Sequence, residues 1–182
     1  MVKEPRPGRV KTRLGRDIGM VAAAWWFRHQ TTRLLRRMRD GRWDLILAVS
    51  PDRDGMQSRV WPADLSRIPQ GQGDLGDRMA RIFRNLPPGP VVIIGADIPA
   101  VSSAHISRAF AALGRNDAVI GPAPDGGYWL IGLSRVGRIS ASLFRNVRWS
   151  GPHALSDTVT SLGALRIART DTLRDVDDVT DL

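Results

Sequence analysis

Val91-Val92-Ile93-Ile94-Gly95-Ala96-Asp97-Ile98-Pro99 places four apolar residues in a row ahead of a glycine, an alanine and a carboxylate. Four β-formers with no polar alternation are the pattern of a strand buried on both faces, as in a parallel sheet covered by helices. The run is read as the centre of a sheet. In open α/β sheets ligands bind beyond the carboxyl ends of the strands, so Asp97 is a carboxylate carried into a ligand crevice on a rigid support. An ion such as Mg²⁺ or Mn²⁺, held by one or two carboxylates and substrate phosphates, suits that position. The plainer role for Asp97 is to cap a turn before Pro99.

Outward from this run, strands and helices alternate. Residues 17–40 space Ile18, Val21, Ala22, Trp25, Leu35 and Met38 as one buried face of a helix ending at Gly41, and a strand follows at 45–49. A helix is read at 75–85, closed by Pro87-Pro88-Gly89, and another from Ser102 or Ser103 to Leu113. Strands at 118–120 and 128–133, a helix at 153–162 and an extended segment at 165–168 complete the pattern. This alternation implies an α/β three-layer sandwich with a mostly parallel central sheet. Its 182 residues suffice for one core, so a single domain spanning 1–182 is expected.

Composition narrows the class. Cysteine is absent, which excludes disulfides and zinc-thiolate sites, and neither a membrane span nor an apolar signal core stands out. A cytoplasmic protein is the default expectation. The net charge of +9 invites a nucleic-acid reading, but the basic residues are spread along the chain. Their densest cluster, Arg33, Arg36, Arg37, Arg39 and Arg42, reads as a solvated helix face and its exit, and no nucleic-acid motif accompanies it.

Pro7-Gly8-Arg9-Val10-Lys11-Thr12-Arg13-Leu14 is different. Glycine allows close approach of backbone to an anion, Arg9 and Arg13 offer forked donors, and Lys11 adds a point charge. Lys11 is one of only two lysines among 27 basic residues, so its place in this loop reads as chosen for phosphate binding. Asp125, in Asp-Gly-Gly-Tyr, is a candidate second metal ligand or a base toward an acceptor hydroxyl; Asp-Gly is also a common turn dipeptide. The loop from Gly71 to Arg78, with Asp74 and Gly76, enters a helix and could wall a nucleotide or be a surface loop. Asp175, Asp177, Asp178 and Asp181 form an acidic tail, either solvated or folded back to the basic loop.

Taken in order, Pro-Gly-Arg-Val-Lys-Thr-Arg-Leu, Gly-Asp-Leu-Gly-Asp-Arg-Met, Gly-Ala-Asp-Ile-Pro, Asp-Gly-Gly-Tyr-Trp-Leu-Ile-Gly-Leu, Trp149-Ser150 and Asp-Val-Asp-Asp-Val-Thr-Asp-Leu resemble the DUF2064 family of GT-A-type glycosyltransferase-like proteins. The chain is more distantly similar to molybdenum-cofactor and phospholactate guanylyltransferases. The resemblance spans nearly the whole chain and implies the Rossmann-like nucleotide-diphospho-sugar transferase fold. It also implies nucleotide phosphates on Gly8, Arg9, Lys11, Thr12 and Arg13, with Asp74 and Gly76 nearby, and Mg²⁺ or Mn²⁺ on Asp97. The activity expected is transfer from a nucleotide-activated sugar to an acceptor of unknown identity, with Lys11, Arg13 and Asp125 as catalytic candidates. Nucleotidyl transfer with release of pyrophosphate and non-catalytic nucleotide binding are the alternatives. Members of the family begin with a full apolar strand, whereas only Met1-Val2-Lys3 precedes Glu4-Pro5 here. The start is therefore expected to lie downstream of the native one, or another strand to cover that place.

Overall fold

The computed structural model describes residues 1–181; Leu182, the last residue of the expected domain, lies outside them. In chain order the elements are β1 (Val2–Lys3), α1 (Thr12–Ile18), α2 (Met20–Arg37), β2 (Leu47–Ser50), α3 (Asp52–Gln57), β3 (Arg67–Pro69), α4 (Leu75–Asn85), β4 (Val91–Ile94), α5 (Ser103–Leu113), β5 (Ala118–Pro122), β6 (Tyr128–Leu133), α6 (Ala154–Leu162) and β7 (Ile167–Arg169), with a 3₁₀ turn at Val179–Asp181. The α/β class is the one expected. The chain divides into two compact units: Met1–Gln70 with Gly95–Ser103 and the segment from Arg174 onward, and Gly71–Ile94 with Ala104–Leu173.

The first unit contains a wholly parallel three-stranded sheet in the order β1-β2-β3. Short as it is, β1 pairs Val2 with Val49 and Lys3 with Ser50, so a first strand does run beside β2. The long helix expected over 17–40 is two helices. Gly19, at φ 90°, breaks it in a conformation that costs glycine little, and α1 packs on α2. The buried face also differs from the one read from sequence. Ala23, Ala24, Phe27, Leu34, Leu35 and Met38 are buried, whereas Ile18, Val21 and Trp25 are exposed. Ala23, Phe27, Leu34 and Met38 recur at steps of four, seven and four residues, and this periodic stripe outranks the bulk of Trp25. Neither α3 nor β3 was anticipated; each is short, and polar residues interrupt its apolar pattern.

The second unit holds a mixed four-stranded sheet in the order β4-β6-β5-β7. β6 runs antiparallel to both β4 and β5, and β7 runs parallel to β5. β6 is the antiparallel exception to the mostly parallel pairing expected, because β5 and β6 are joined by a tight reversal at 123–127, where Ala123 N–H donates to the Gly127 carbonyl at 3.0 Å. Two adjacent strands joined that way can only be antiparallel. Nor is the 91–94 run the buried centre of this sheet. β4 is one of its two edge strands, and within β4 only Ile93 is buried. The central positions belong to β5 and β6, where Ala118, Val119, Ile120 and Leu130 are fully buried. α4 matches its sequence reading because both ends are coded locally. Asp74 and Asp77 form a reciprocal capping box, and Leu86, extended at φ −72° and ψ 152°, ends the helix ahead of Pro87.

Tyr128, the only tyrosine in the chain, opens β6 with its hydroxyl buried against Thr158, whose Oγ1 donates to it at 3.3 Å. Burial raises its pKa well above the ordinary 10.0, and the Thr158 hydrogen bond offsets only part of the effect. A phenol that keeps its proton in the folded state leaves stability unaffected below its unfolded pKa; stability is lost as pH rises beyond that toward the folded value. Tyrosinate absorbance at 295 nm is therefore expected to be missing from the native protein at pH 10.5 and to appear together with loss of near-ultraviolet circular dichroism. A titration at the ordinary tyrosine pKa in the still-folded chain would contradict this.

Candidate active site

The basic loop at 7–14 is pinned from beneath. Val10 and Leu14 are buried, at 4% and 0% exposure, while Gly8, Arg9, Thr12 and Arg13 between and beside them face solvent. Gly8 takes φ 74°, and the Arg9 N–H donates to the Arg6 carbonyl to close the turn. Lys11 adopts the left-handed conformation at φ 46° and ψ 49°, directly before α1. That backbone twist sends its side chain inward, away from the solvent reached by its neighbours.

There it meets carboxylates. Lys11 Nζ lies 2.5 Å from Asp97 Oδ2 and 3.0 Å from Asp177 Oδ1, with only 7% of its side chain exposed. Arg13 Nη1 reaches Asp177 Oδ2 at 3.2 Å from the solvent side. Burial works to lower the Lys11 pKa, but the Asp97 charge and hydrogen bond, joined by those of Asp177, outweigh it and raise the pKa above its ordinary value. Lys11 is thus not an exposed loop charge. It is a buried ammonium holding acidic groups together.

The acidic tail supplies those groups. Val176 is buried and its N–H donates to the Asp97 carbonyl at 3.1 Å, while the Leu14 N–H in the first turn of α1 donates to the Asp177 carbonyl at 3.1 Å. These two backbone bonds tie the tail to both the basic loop and the Asp97 segment. Asp181 turns the chain behind them by accepting from the Asp177 and Asp178 N–H groups at 3.0 and 3.3 Å and pairing with Arg174. Of the two readings open from sequence, a solvated tail and a folded-back one, the second describes the structure. Asp97 sits between buried Ala96 and Ile98, so its carboxylate position is fixed by packing on either side.

Asp97, Asp175 and Asp177 each present a carboxylate oxygen within 4.8 Å of the other two. Three hard oxygen donors, half-buried and converging, are the donor set that Mg²⁺ or Mn²⁺ takes, and the residues present fit such an ion. Asp175 and Asp177 were not singled out as ligands by the sequence reading. Their signal was the alternate spacing Asp175-Val176-Asp177, which puts two carboxylates on one side of an extended segment and buries the valine on the other.

The remaining candidates belong to the second unit. The Asp74 carboxylate is engaged in the α4 cap, accepting from Asp77 N–H at 2.9 Å. Gly76 has no room for a side chain, since an added Cβ would come within 2.7 Å of both Phe144 and Trp149. Asp125 is exposed, and its Oδ1 accepts from Gly127 N–H at 2.9 Å, the turn-forming bond that Asp-Gly sequences favour. Gly126 adopts φ 87° and backs onto the Pro152 carbonyl so closely that a Cβ would fall 2.3 Å from it. The two glycines after Asp125 therefore serve a turn and a close backbone approach.

Comparison with known proteins bears on the family and the fold. The family described as "Uncharacterized protein conserved in bacteria (DUF2064)" matches residues 33–151. A Desulfovibrio desulfuricans protein, named provisionally as a nucleotide-diphospho-sugar transferase, is 30% identical with a TM-score of 0.87 over 99% of this chain and 81% of its own. Two more distant structures share the fold alone. One is 4-diphosphocytidyl-2C-methyl-D-erythritol synthase from Anaerococcus prevotii, at 12% identity and a TM-score of 0.52 over 85% of this chain and 82% of its own. The other is the manganese complex of Rv0371C from Mycobacterium tuberculosis, at 17% identity and a TM-score of 0.52, with the same coverage. No curated protein matches the chain. The GT-A-like α/β fold expected from sequence is thereby established, and the chain belongs to the DUF2064 family.

Proposed function

We propose that the chain is a cation-dependent transferase that uses a nucleotide-activated sugar. The observation that carries this reading is the junction of Lys11, Arg13, Asp97, Asp175 and Asp177, a cationic loop meeting a three-carboxylate cluster, in a chain related to a provisionally named nucleotide-diphospho-sugar transferase. Asp97, Asp175 and Asp177 would hold Mg²⁺ or Mn²⁺, which when bound neutralises diphosphate charge. Exposed Arg9 and Arg13 would bind phosphate oxygens as forked donors, with Gly8 allowing close approach and the Thr12 hydroxyl within the same loop. Lys11 would leave its carboxylates for the diphosphate and stabilise negative charge on it as the bond from the anomeric carbon to the phosphate oxygen breaks. An acceptor hydroxyl forms the new bond at that carbon and gives up its proton to solvent water.

The shared fold with a 4-diphosphocytidyl-2C-methyl-D-erythritol synthase favours nucleotidyl transfer as the second reading. Products separate the two. Incubation with a panel of sugar nucleotides, nucleoside triphosphates and sugar acceptors is expected to release a nucleoside diphosphate from a sugar nucleotide, only with a divalent cation. Release of pyrophosphate from a triphosphate would establish the second reading instead, and binding without turnover across the panel would make the chain a nucleotide-binding protein.

A further inference from the structure

Helix α2 presents a face that nothing among the described residues covers. Val21 and Trp25, one turn apart, are 73% and 62% exposed, and Ile18 at the end of α1 and Met20 at the start of α2 are also open to solvent. Side chains one turn apart line the same surface, and the same stripe continues from Trp25 through Arg28, half-buried Thr32 and Arg36. Its first half is apolar and its second half is cationic. From Ile18 to Arg39 the sequence contains five arginines and no Asp or Glu. Arg28, Arg33 and Arg36 make no side-chain hydrogen bond or ion pair among the described residues.

We propose that this face of α2 docks on an anionic membrane surface, lying in the plane of the headgroups. A surface of anionic lipid supplies what each half of the stripe lacks: an apolar layer for Val21 and Trp25, with Ile18 and Met20 beside them, and negative charge for Arg28 and Arg36, with Arg33 beside them. Tryptophan suits the boundary between headgroups and acyl chains because its ring is apolar and its indole N–H is not. No helix among the described residues is long and apolar enough to cross a membrane, so the contact is peripheral. Charge disfavours the other occupants. A second copy of the chain would have to place arginine-rich, acid-free faces together, and a nucleic acid would leave three aliphatic side chains without a partner.

Flotation of the full chain with vesicles of phosphatidylcholine, alone or with phosphatidylglycerol, tests the proposal. The native chain is expected to float with the mixed vesicles and to stay free of the neutral ones. Val21→Ser with Trp25→Ala should weaken that binding by at least about tenfold, and Arg28→Ser with Arg36→Ser should weaken it by a similar factor. All four positions are exposed or lie on the exposed stripe, so circular dichroism should confirm that both variants remain folded. The proposal is overturned if the native chain ignores mixed vesicles, or if the apolar variant binds them as tightly as the native chain, which would reduce the effect to general positive charge. It is also overturned if Trp25→Ala instead abolishes a concentration-dependent dimer in sedimentation, or abolishes binding to a duplex oligonucleotide that the native chain prefers over vesicles.

Discussion

Lys11→Met is expected to lower the melting temperature of the cation-free protein by roughly 3–8 °C, with Mn²⁺ restoring most of the loss. Methionine keeps the length and flexibility of the lysine stem and removes only the charge. The ammonium that lies between Asp97 and Asp177 then disappears, and carboxylates within 4.8 Å of one another face each other without it. Breaking a fully buried ion pair costs about 3–5 kcal/mol. Asp97 and Asp177 are 27% and 41% exposed, so water screens part of the repulsion and about 1–3 kcal/mol is the appropriate range. A cation that binds the native state stabilises it according to its concentration over its Kd. Mn²⁺ should therefore stabilise the variant more than the native chain, where it first has to displace the ammonium. Differential scanning fluorimetry in a chelator and in Mn²⁺ checks both halves; an unchanged melting temperature in the chelator would show that Lys11 does not hold the cluster together.

Asp97→Asn is expected to reduce affinity for a nucleoside diphosphate in Mn²⁺ by at least about tenfold and to have little effect in a chelator. Asparagine preserves the shape of the side chain between buried Ala96 and Ile98 and keeps one oxygen, but removes the negative charge. Loss of a charged ligand should cost at least as much as the outer-shell substitutions on which that factor rests. The cation dependence is the discriminating feature, because a merely structural aspartate would weaken binding equally with and without the ion. Isothermal titration in the two buffers measures it, and equal losses in both would place Asp97 outside the cation site.

How much of this was legible in the sequence depends on how far apart the interacting residues are. α4 and β6 were read correctly to the residue, because Asp74, Asp77, the Pro87-Pro88 stop and the apolar run at 128–133 act within a few positions. The face of α2 was read correctly at Leu35 and Met38 and misread in its first half, because Ile18, Val21, Ala22 and Trp25 keep a helical spacing of their own: Ala23 and Ala24 are core, while Trp25 beside them is not. The mostly parallel pairing follows from the general alternation of strands and helices, and β6 departs from it because the Asp125-Gly126-Gly127 turn joins β5 to β6 directly. At the site, the loop chemistry of Gly8 to Arg13 and the placement of Asp97 were visible as local patterns. The contact of Lys11 with Asp177 spans 166 positions, and no local rule sets that distance. The left-handed conformation of Lys11 was equally hidden, since lysine carries no local signature for it.

The central claim is that Asp97, Asp175 and Asp177 form a divalent-cation site serving a nucleotide diphosphate. The electron paramagnetic resonance signal of free Mn²⁺, followed during titration with protein, tests it most directly. The account predicts that the native chain depletes the signal at one ion per chain and more tightly when a nucleoside diphosphate is present, and that Asp97→Asn and Asp177→Asn, still folded, lose this depletion. Equal depletion by the native chain and both folded variants, or no depletion by the native chain even with the nucleotide, would contradict it.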